Sequence, residues 1–287
     1  MKEFIISTDS TADLPQDYIK EHNLFIHPLY YTMEDEVFGG ELNLSPKDFY
    51  ARMRNGQMPT TMASNPDFIL NAFTNQINAG MDVLHISFSS ALSCSFNNAS
   101  VVAKEICEEN KDAKIVVIDS LCASMGQGLL VHYAVKMKEA GKSLDEIVSW
   151  INENRNHICH QFTVDDLFHL QRGGRVSKAA AVIGTIINVK PVLHVDNEGR
   201  LIPLAKVRGR KKALTTLVDN MEAKIKGYQN DIVFISHGDC LEDAEFVADL
   251  IKERFGITNF LIDYVSPTIG THSGPGTVAL FFMGNEK

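Results

Sequence analysis

The stretch LHISFSSALSCSFNNASVVAKEI, residues 84–106, joins an apolar strand to an amphipathic helix through a serine-rich turn. The strand pattern covers Val83–Phe88 and the helical pattern covers Ser95–Glu109. A strand that leads through a short turn into a helix is the repeating unit of sheets with parallel strands. This stretch therefore predicts an α/β fold, with the turn at the carboxyl end of a strand, where open α/β sheets bind ligands.

Four serines occupy the turn: Ser89, Ser90, Ser93 and Ser95. One or two serines would be enough to cap the helix. The free N–H groups and the positive end of the helix dipole also favour an anion here. We therefore predict an anion site in this turn, with plain capping as the alternative. A carboxylate is favoured over a phosphate because the sequence has no GxxxxGK[ST] loop.

The rest of the N-terminal half repeats the alternation of strand and helix. Further strands are predicted at Phe4–Ser7, Phe25–Tyr31 and Ile115–Ile118. Proline in the first turn is typical of helix starts, and the predicted helices are Pro15–Glu21, Pro46–Arg54, Pro66–Ala79, Ser124–Glu139 and Leu144–Asn154. The strand ends lead into loops at Asp9, Ser89 and Asp119, which should meet at one edge of a parallel sheet.

The C-terminal half has a different pattern. Val189–Val195 and Leu201–Val207 flank the turn signal DNEG and predict a β-hairpin. Alternating helices and strands follow, at Lys211–Ile225, Ile232–Ser236, Glu242–Arg254, Phe260–Tyr264 and Val278–Met283. The 287 residues are enough for about two domains. We predict a parallel-sheet α/β/α domain at 1–158 and a mixed-sheet α/β domain at 159–287, packed closely because no low-complexity linker separates them.

Charge is distributed unevenly along the chain. The formal net charge of -9 argues against a protein that binds nucleic acid. The segment 172–212 nevertheless has ten basic and two acidic residues, so that its charge is +8 and that of the remainder is -17. Such a segment indicates an anionic ligand or an acidic partner surface; the alternative is a hairpin whose lysines shield its outer edge.

Cysteine usage and the N-terminus indicate the compartment. The five cysteines form no CxxC pair, which is typical of buried thiols in a reducing environment. MKEFIISTDS has no apolar signal region, and no apolar run reaches the roughly 18 residues that span a bilayer. We therefore expect a soluble cytoplasmic protein without stable membrane insertion. HICH, residues 157–160, fits no common zinc spacing and is better explained as a strand with a buried cysteine, so no metal site is predicted.

Two more polar loops contain candidate residues. PTTMASNP has Thr60, Thr61 and Ser64 ahead of a helix, where capping alone could explain them. IGTHSGPGT places His272 among three glycines. A histidine in such a loop can donate to a carboxylate or act as an acid or base, or its role can be structural.

Ser93 and His272 also suggest a different function. With Ser93 as nucleophile, His272 as base and Asp9 or Asp119 as orienting group, the chain would be a serine hydrolase or acyltransferase. The absence of a GxSxG motif weighs against this hypothesis. A third hypothesis is an enzyme of phosphorylated metabolites that uses the basic segment 172–212.

Seven segments in this order resemble the DegV family of bacterial lipid-binding proteins and span about residues 4–283. They are IISTDSTADLP, PTTMASNP, SSALSCSFNNAS, VIDSLCASMGQGLLV, LQRGGRVSKAAAVIGTIINVKPVL, KVRGRKKAL and IGTHSGPGTVAL. The resemblance implies a two-domain α/β fold with a long-chain fatty acid buried between the domains. For members that act with a fatty acid kinase, it implies that the protein presents the carboxylate to that separate enzyme, which makes acyl phosphate for phospholipid metabolism. Such a protein is not itself an enzyme and needs no cofactor.

The resemblance also implies residue roles. The fatty-acid carboxylate would be held by Thr61 and Ser93, with His272 near the same head group. Kinase docking or phosphate contact would fall to Arg172, Arg175 and Arg208.

The chain departs from the family pattern in both head-group loops. Only the threonine of a TSQPS-like loop remains in Thr61–Asn65, and Ala91 and Cys94 stand where glycines are usual. These departures leave the head-group hydroxyls in place but change the loops, and the larger Met62 is expected to narrow the pocket and affect chain-length preference.

A buried acyl tail is physically reasonable as a ligand. At about 0.8 kcal/mol per methylene, a tail of about sixteen carbons offers on the order of 10 kcal/mol of transfer free energy. Hydroxyl groups and N–H groups would offset the desolvation of the carboxylate. The tail could be lined by AAAVIGTII (179–187), Met81, Met125, Phe162 and Phe168, although ordinary core is the favoured explanation for each residue taken alone.

Overall fold

The computed structural model describes residues 2–165, 167–177 and 188–287. Within these ranges the strands form three sheets. The strands are β1 (Phe4–Asp9), β2 (Phe25–His27), β3 (Tyr31–Met33), β4 (Glu36–Phe38), β5 (Thr60–Thr61), β6 (Asp82–Ser87), β7 (Ile115–Asp119), β8 (Ile158–Thr163), β9 (Val189–Val195), β10 (Leu201–Arg208), β11 (Val233–His237), β12 (Phe260–Tyr264) and β13 (Val278–Met283).

The helices of the described residues connect these strands. They are α1 (Gln16–Glu21), α2 (Pro46–Arg54), α3 (Pro66–Asn78), α4 (Ser95–Glu109), α5 (Met125–Glu139), α6 (Leu144–Asn154), α7 (Phe168–Arg172), α8 (Arg210–Lys224), α9 (Leu241–Phe255) and α10 (Pro267–Ser273). Short 3-10 turns lie at Ser10–Ala12 and Arg155–His157.

A parallel sheet of four strands in the order β2-β1-β6-β7 forms the N-terminal half. Helices α3 and α4 cover one face, where Ile69, Phe73 and Val102 pack together, and α5 covers the other. All residues of β6 are buried, as expected for a central strand with helices on both faces.

Helix α5 lies between the two large sheets. It contacts β1 and β6 of the first sheet and β8, β11 and β13 of the second. Its residues are buried on several sides, among them Met125, Leu129, Leu130 and Val135. A helix with so little polar surface belongs in a protein interior. The two halves therefore share one continuous core around α5.

A mixed sheet of six strands in the order β10-β9-β8-β13-β11-β12 forms the C-terminal half. Only β11 and β12 are parallel neighbours; the other pairs are antiparallel. Helices α8 and α9 pack on it through Leu217, Val218, Val247 and Ile251. The predicted α/β architecture of a parallel-sheet half and a mixed-sheet half is confirmed. The domain boundary stays a prediction; β8, which belongs to the second sheet, begins at Ile158.

The predicted strand Phe25–Tyr31 is wrong. Strand β2 ends at His27 in the parallel sheet, whereas β3 begins at Tyr31 in a separate sheet of order β4-β3-β5. Pro28 lies at the break, and because proline has no N–H it cannot continue a ladder. The sequence pattern also missed β4 and β5, which are too short to show a periodicity.

The glycine-rich segment expected to be a loop is partly helical. Helix α10 begins at Pro267, in the favoured first position, and ends at Ser273. Gly274, with φ of 79°, terminates it. His272 therefore lies in the last turn of a short helix, where its ring has a fixed position, and not in an open loop.

Candidate ligand-binding site

A cavity of about 480 Å³ lies between the two halves of the molecule. We call it the first cavity. Its lining includes residues 61–63, Phe88 and residues 90–94 of the N-terminal half and residues of β8, β10, β13 and α10 from the other half. Its size and largely apolar lining are typical of a small-molecule site. The apolar residues include Leu29, Phe88, Leu92, Phe162, Leu170, Val195, Leu201, Val265, Ile269, Ala279 and Phe281.

Thr61 and His272 meet in the wall of this cavity. Thr61 Oγ1 lies 2.8 Å from His272 Nε2. Strand β5 positions Thr61 by pairing it with Tyr31 of β3, and the last turn of α10 positions His272. Gly173 packs against the imidazole, and a Cβ at this position would overlap Nδ1. Residue 173 must therefore be a glycine for the imidazole of His272 to fit beside it.

Hydroxyl contacts join the serine turn to the loop that follows β5. Ser93 Oγ accepts a hydrogen bond from the Ser95 N–H at 3.2 Å and lies 2.9 Å from Ser95 Oγ. Ser95 Oγ in turn accepts from the Ser64 N–H at 3.3 Å, and the Asn98 amide donates to the Ser64 carbonyl at 3.0 Å. Helix capping was the alternative explanation for Ser64 in the sequence, but the residue that caps α3 is Asn65. Ser64 instead fixes one head-group loop against the other.

Arg172 and Arg175 hold the same region together from the C-terminal half. Arg172 Nη2 donates to the carbonyls of Pro59 and Thr271, at 2.8 and 3.2 Å. Arg175 donates from Nε and Nη2 to the Leu92 carbonyl, at 3.1 and 2.9 Å, and lines the cavity. Both arginines therefore position the loops around the first cavity. Their predicted role in docking or phosphate contact stays a prediction.

His272 is neutral at physiological pH. Burial lowers the pKa of its imidazole, and the charges of Arg175 and Arg172, together with His169, lower it further, to about 3. A neutral imidazole donates one hydrogen bond. Its partner is Thr61 Oγ1, and the nearby guanidinium charges favour an anion next to this pair, since an opposite charge stabilises an anion in a partly buried site.

The hydrolase arrangement is not formed. Ser93 Oγ contacts Ser95 and not His272. Asp9 accepts hydrogen bonds within its own sheet, and Asp119 accepts them from the backbone of the turns that follow β6 and β7. Within the described ranges neither carboxylate contacts His272, so the geometry lacks the relay that activates a nucleophilic serine.

The apolar lining differs from the expected set. Phe162 lines the first cavity, as proposed. Met125 is buried in the core, and Met81 and Phe168 are absent from the lining. The AAAVIGTII segment lies outside the described residues. The residues that form most of the apolar wall come from nine separate elements and loops, which no single stretch of sequence reveals.

The basic segment is partly neutralised by acidic neighbours, since four of its nine described basic residues form ion pairs. Its ion pairs are Lys190 with Asp165, Arg200 with Asp196 and Glu198, Arg210 with Asp243, and Lys212 with Asp219. Lys178 lies outside the described residues. Arg208 lies at the exposed end of β10, outside the cavity lining, and makes no ion pair with any described residue. The pairing weakens the hypothesis of an enzyme that uses this segment to bind phosphorylated metabolites.

HICH lies at the start of β8, as the buried-cysteine interpretation predicts. Cys159 is fully buried and its thiol contacts the Glu286 carbonyl at 2.8 Å. In the parts of the chain that the structure covers, no cluster of three or more His, Cys, Asp or Glu side chains could hold a metal ion. None of the helices in those parts combines the length and apolar character needed to cross a bilayer.

The fold and the first cavity define a two-domain α/β protein that encloses a mainly apolar ligand site with hydroxyl, imidazole and guanidinium groups in its wall. The chain belongs to the DegV family, since the family described as "Uncharacterised protein, DegV family" matches residues 3–285. A DegV domain-containing protein of Clostridium perfringens is 43% identical over 289 residues, which cover 100% of this chain and 99% of the relative.

Solved structures of similar proteins share the fold. A fatty-acid-binding DegV family protein from Thermus thermophilus superposes with a TM-score of 0.89 at 26% identity, covering 99% of this chain and 100% of the other. DegV from Bacillus subtilis, a fatty acid binding protein, gives a TM-score of 0.86 at 27% identity, with coverage of 99% and 100%. The DegV family protein from Eubacterium eligens loaded with heptadecanoic acid, at 22% identity and a TM-score of 0.87 over 98% and 100% of the two chains, supports the fold alone.

Proposed function

We propose that this protein binds a long-chain fatty acid in the first cavity. The observation that carries the proposal is the lining itself, which is apolar over most of its extent and also includes Thr61, Ser93 and His272. The apolar wall would take the acyl tail, whose burial supplies most of the binding free energy. The fatty-acid-binding relatives from Thermus thermophilus and Bacillus subtilis support the same ligand class.

The carboxylate would lie against Thr61, Ser93 and His272. The Ser93 hydroxyl can donate to it, and so can the Thr61 hydroxyl when the single N–H of the neutral imidazole is on Nε2 and donates to Thr61 Oγ1. His272 then orients the Thr61 hydroxyl toward the carboxylate. Arg175, which also lines the cavity, brings positive charge to the same region. These groups would replace the water that the carboxylate loses on entry, which is necessary because an unsatisfied buried carboxylate is costly.

We further propose that the bound carboxylate is presented to a separate cytoplasmic fatty acid kinase, which converts it to acyl phosphate. Met62, Ser90, Ala91 and Cys94 line the cavity and are exposed, so the serine turn and the loop after β5 surround an opening. A carboxylate at this opening is accessible to a second protein. The chain itself offers no activated nucleophile at Ser93, which supports a binding protein that leaves the chemistry to its partner.

Native mass spectrometry tests the ligand class. Protein purified from bacterial cells should carry one fatty acid per chain, and the delipidated protein should gain thermal stability when palmitate is added, because a ligand that binds the folded state stabilises it. Absence of any copurified lipid together with an unchanged melting temperature would contradict the proposal.

Substitution of Arg208 tests presentation to the kinase. Since Arg208 is exposed and lies outside the cavity lining, Arg208→Glu should leave fatty-acid loading unchanged while acyl phosphate formation by the kinase falls, with a strong dependence on salt. Lys226→Glu, the same charge change at another exposed position, is the control. An equal loss of loading would assign Arg208 to the pocket, and unchanged phosphorylation would remove it from the docking surface.

A further inference from the structure

A second cavity, of about 460 Å³, lies beside the first. We call it the acidic cavity. Leu29 and Thr268 line both cavities, and Thr268 Oγ1 donates to the Leu29 carbonyl at 3.1 Å. Gln16 and Asn43 line the acidic cavity and are exposed, so it is open to solvent on that side. The fatty-acid proposal makes no use of this space.

The lining of the acidic cavity contains three carboxylates, Asp9, Asp13 and Asp263, and among the described residues it includes no lysine, arginine or histidine. Behind this lining His85 Nε2 lies 3.5 Å from Asp9 Oδ1, whereas neither Asp13 nor Asp263 forms an ion pair with a described residue. The rest of the wall is substantially apolar, with Leu14, Ile19, Ile26, Leu44, Pro15, Pro28, Pro46 and Pro267. This composition suits a molecule with a positive head and a compact apolar body.

Two buried side chains of this lining have polar atoms without a hydrogen-bond partner in the part of the chain that is described. Asp13 is 6% exposed and its Oδ1 is unpartnered; Tyr31 is 2% exposed and its hydroxyl is unpartnered. Ser266 lies close enough to Asp13 to stabilise its carboxylate, but makes no hydrogen bond of normal geometry to Oδ1. The Leu44 backbone likewise lies close enough to lower the pKa of Tyr31, but makes no hydrogen bond of normal geometry to its hydroxyl. Buried polar atoms are nearly always satisfied in native proteins. These two oxygens therefore indicate a missing donor.

The electrostatics of Asp13 favour a cation as that donor. Burial, together with the negative charge of Asp263, raises the pKa of Asp13 to about 7 against the opposing contacts from Ser124 and Ser266. The ionised carboxylate is thus destabilised in the unliganded protein. A positive group next to it would restore the ionised form.

We propose that the acidic cavity binds a small alkylammonium ligand, whose ammonium group donates to Asp13 Oδ1 and whose apolar part packs against Leu14, Ile19 and Leu44. An ammonium group has three donors, and the oxygens of Asp13 and Tyr31 can accept two of them. A hydrogen bond between two charged groups is stronger than one between neutral groups, so the site distinguishes an amine from an alcohol of the same shape.

Binding of n-hexylammonium and of 1-hexanol, measured by ligand-observed NMR and calorimetry, tests the proposal. We expect the ammonium compound to bind about tenfold more tightly than the alcohol and to lose about tenfold in Asp13→Asn. The asparagine keeps an oxygen that can accept from Ser124. Asp17→Asn, which removes an exposed carboxylate outside the cavity lining, is the matched control and should bind normally. Equal affinities for amine and alcohol, or equal affinities of Asp13→Asn and wild type for the amine, would overturn the proposal.

Two further measurements keep the proposal testable. If Asp13→Asn does not fold, Tyr31→Phe replaces it and should weaken the ammonium compound by about threefold through the lost hydroxyl; no change in that variant would then overturn the proposal. Amine affinity should also be the same with and without added palmitate, whether or not palmitate binds. Displacement of the amine by palmitate would place it in the first cavity and overturn the assignment.

Discussion

The two cavities between the halves of this molecule have similar volumes, about 480 and 460 Å³, but opposite polar groups. Hydroxyls, two imidazoles and a guanidinium lie in the wall of the first cavity, and carboxylates lie in the wall of the acidic cavity. Strands β1 and β6 are neighbours in the parallel sheet. The segment after β1 supplies Asp13 to the acidic cavity, and the turn after β6 supplies Ser93 to the first.

The difference between the cavities shows how one sheet edge can serve two ligand classes. The carboxyl ends of parallel strands provide the place for a site, while the few residues that follow each strand decide its charge. The wall between the cavities is specific as well: Ser124, which lines the first cavity, donates to Asp13 Oδ2 at 2.5 Å. The hydrogen bond between Ser124 and Asp13 therefore directly connects the wall of the first cavity to the wall of the acidic cavity.

Filling the first cavity should give the largest effect. Ala279 lies opposite Phe162 in the sheet and lines the cavity, so Ala279→Phe would occupy space needed by the tail. If about four methylenes lose their contacts, fatty-acid affinity falls about 100-fold. Titration with a fluorescent fatty acid measures this. Ala205→Phe, on the exposed part of β10, is the control. Unchanged affinity in Ala279→Phe would mean that the tail lies elsewhere, and a loss of amine binding would mean that the two cavities are not separate.

Removal of one head-group hydroxyl should give a smaller effect. Ser93→Ala is expected to weaken fatty-acid binding by about 1 to 3 kcal/mol, because the buried carboxylate loses a donor. The same titration measures it, with Ser100→Ala on α4, outside the cavity lining, as the control. Affinity equal to that of the control variant would remove Ser93 from the site. Amine binding should be unaffected, which sharpens the distinction between the cavities.

His272 in the first cavity and Asp13 in the acidic cavity should change the free energy of unfolding in opposite directions as the pH changes. The folded-state pKa of His272 is about 3, below its ordinary value of 6.5, so the unfolded state binds the proton first and His272 destabilises the fold as pH falls below 6.5. The folded-state pKa of Asp13 is about 7, above its ordinary 3.8, so its contribution is complete below 3.8 and is lost as pH rises toward 7.

Urea unfolding of the lipid-free protein between pH 5 and pH 7 measures both slopes. When the pH falls from 6.5 to 5, His272 should lower the free energy of unfolding by roughly 2 kcal/mol. His272→Gln should therefore lose less stability on acidification than wild type. Asp13→Asn should lose more than wild type, because it lacks the stabilisation that protonation of Asp13 provides. Buried His27 and His132, whose pKa values burial lowers to about 3 and about 4, act in the same direction as His272 and remain in both variants. Identical slopes in all three proteins would contradict this assignment of charge states.

Local signals in the sequence were sufficient to predict most of the helices and strands. Helices α2, α4 and α6 begin and end at the predicted residues, because proline, serine and capping-box signals mark their starts. The strand Phe25–Tyr31 was predicted wrongly because β-branched and aromatic residues continue through Pro28, while pairing with two different sheets is a tertiary property.

The candidate site was only partly accessible to sequence reasoning. Thr61, Ser93 and His272 were singled out from polar loops and from a family resemblance, and the structure places all three in one lining. The Ser64–Ser95 contact, the packing of Gly173 on His272 and the hydrogen bonds of Arg175 to Leu92 depend on residues 31 to 99 positions apart meeting in space. Asp13 lay in a quoted motif, but its burial in the wall of a second cavity has no sequence signal.

A crystal structure of the protein with bound palmitate tests the central claim most directly. The account predicts one continuous tail in the first cavity, packed against Phe162 and Phe281, with its carboxylate within hydrogen-bonding distance of Thr61 Oγ1 and Ser93 Oγ. Density for the fatty acid outside this cavity, or a carboxylate at the end of the cavity away from both hydroxyls, would contradict it.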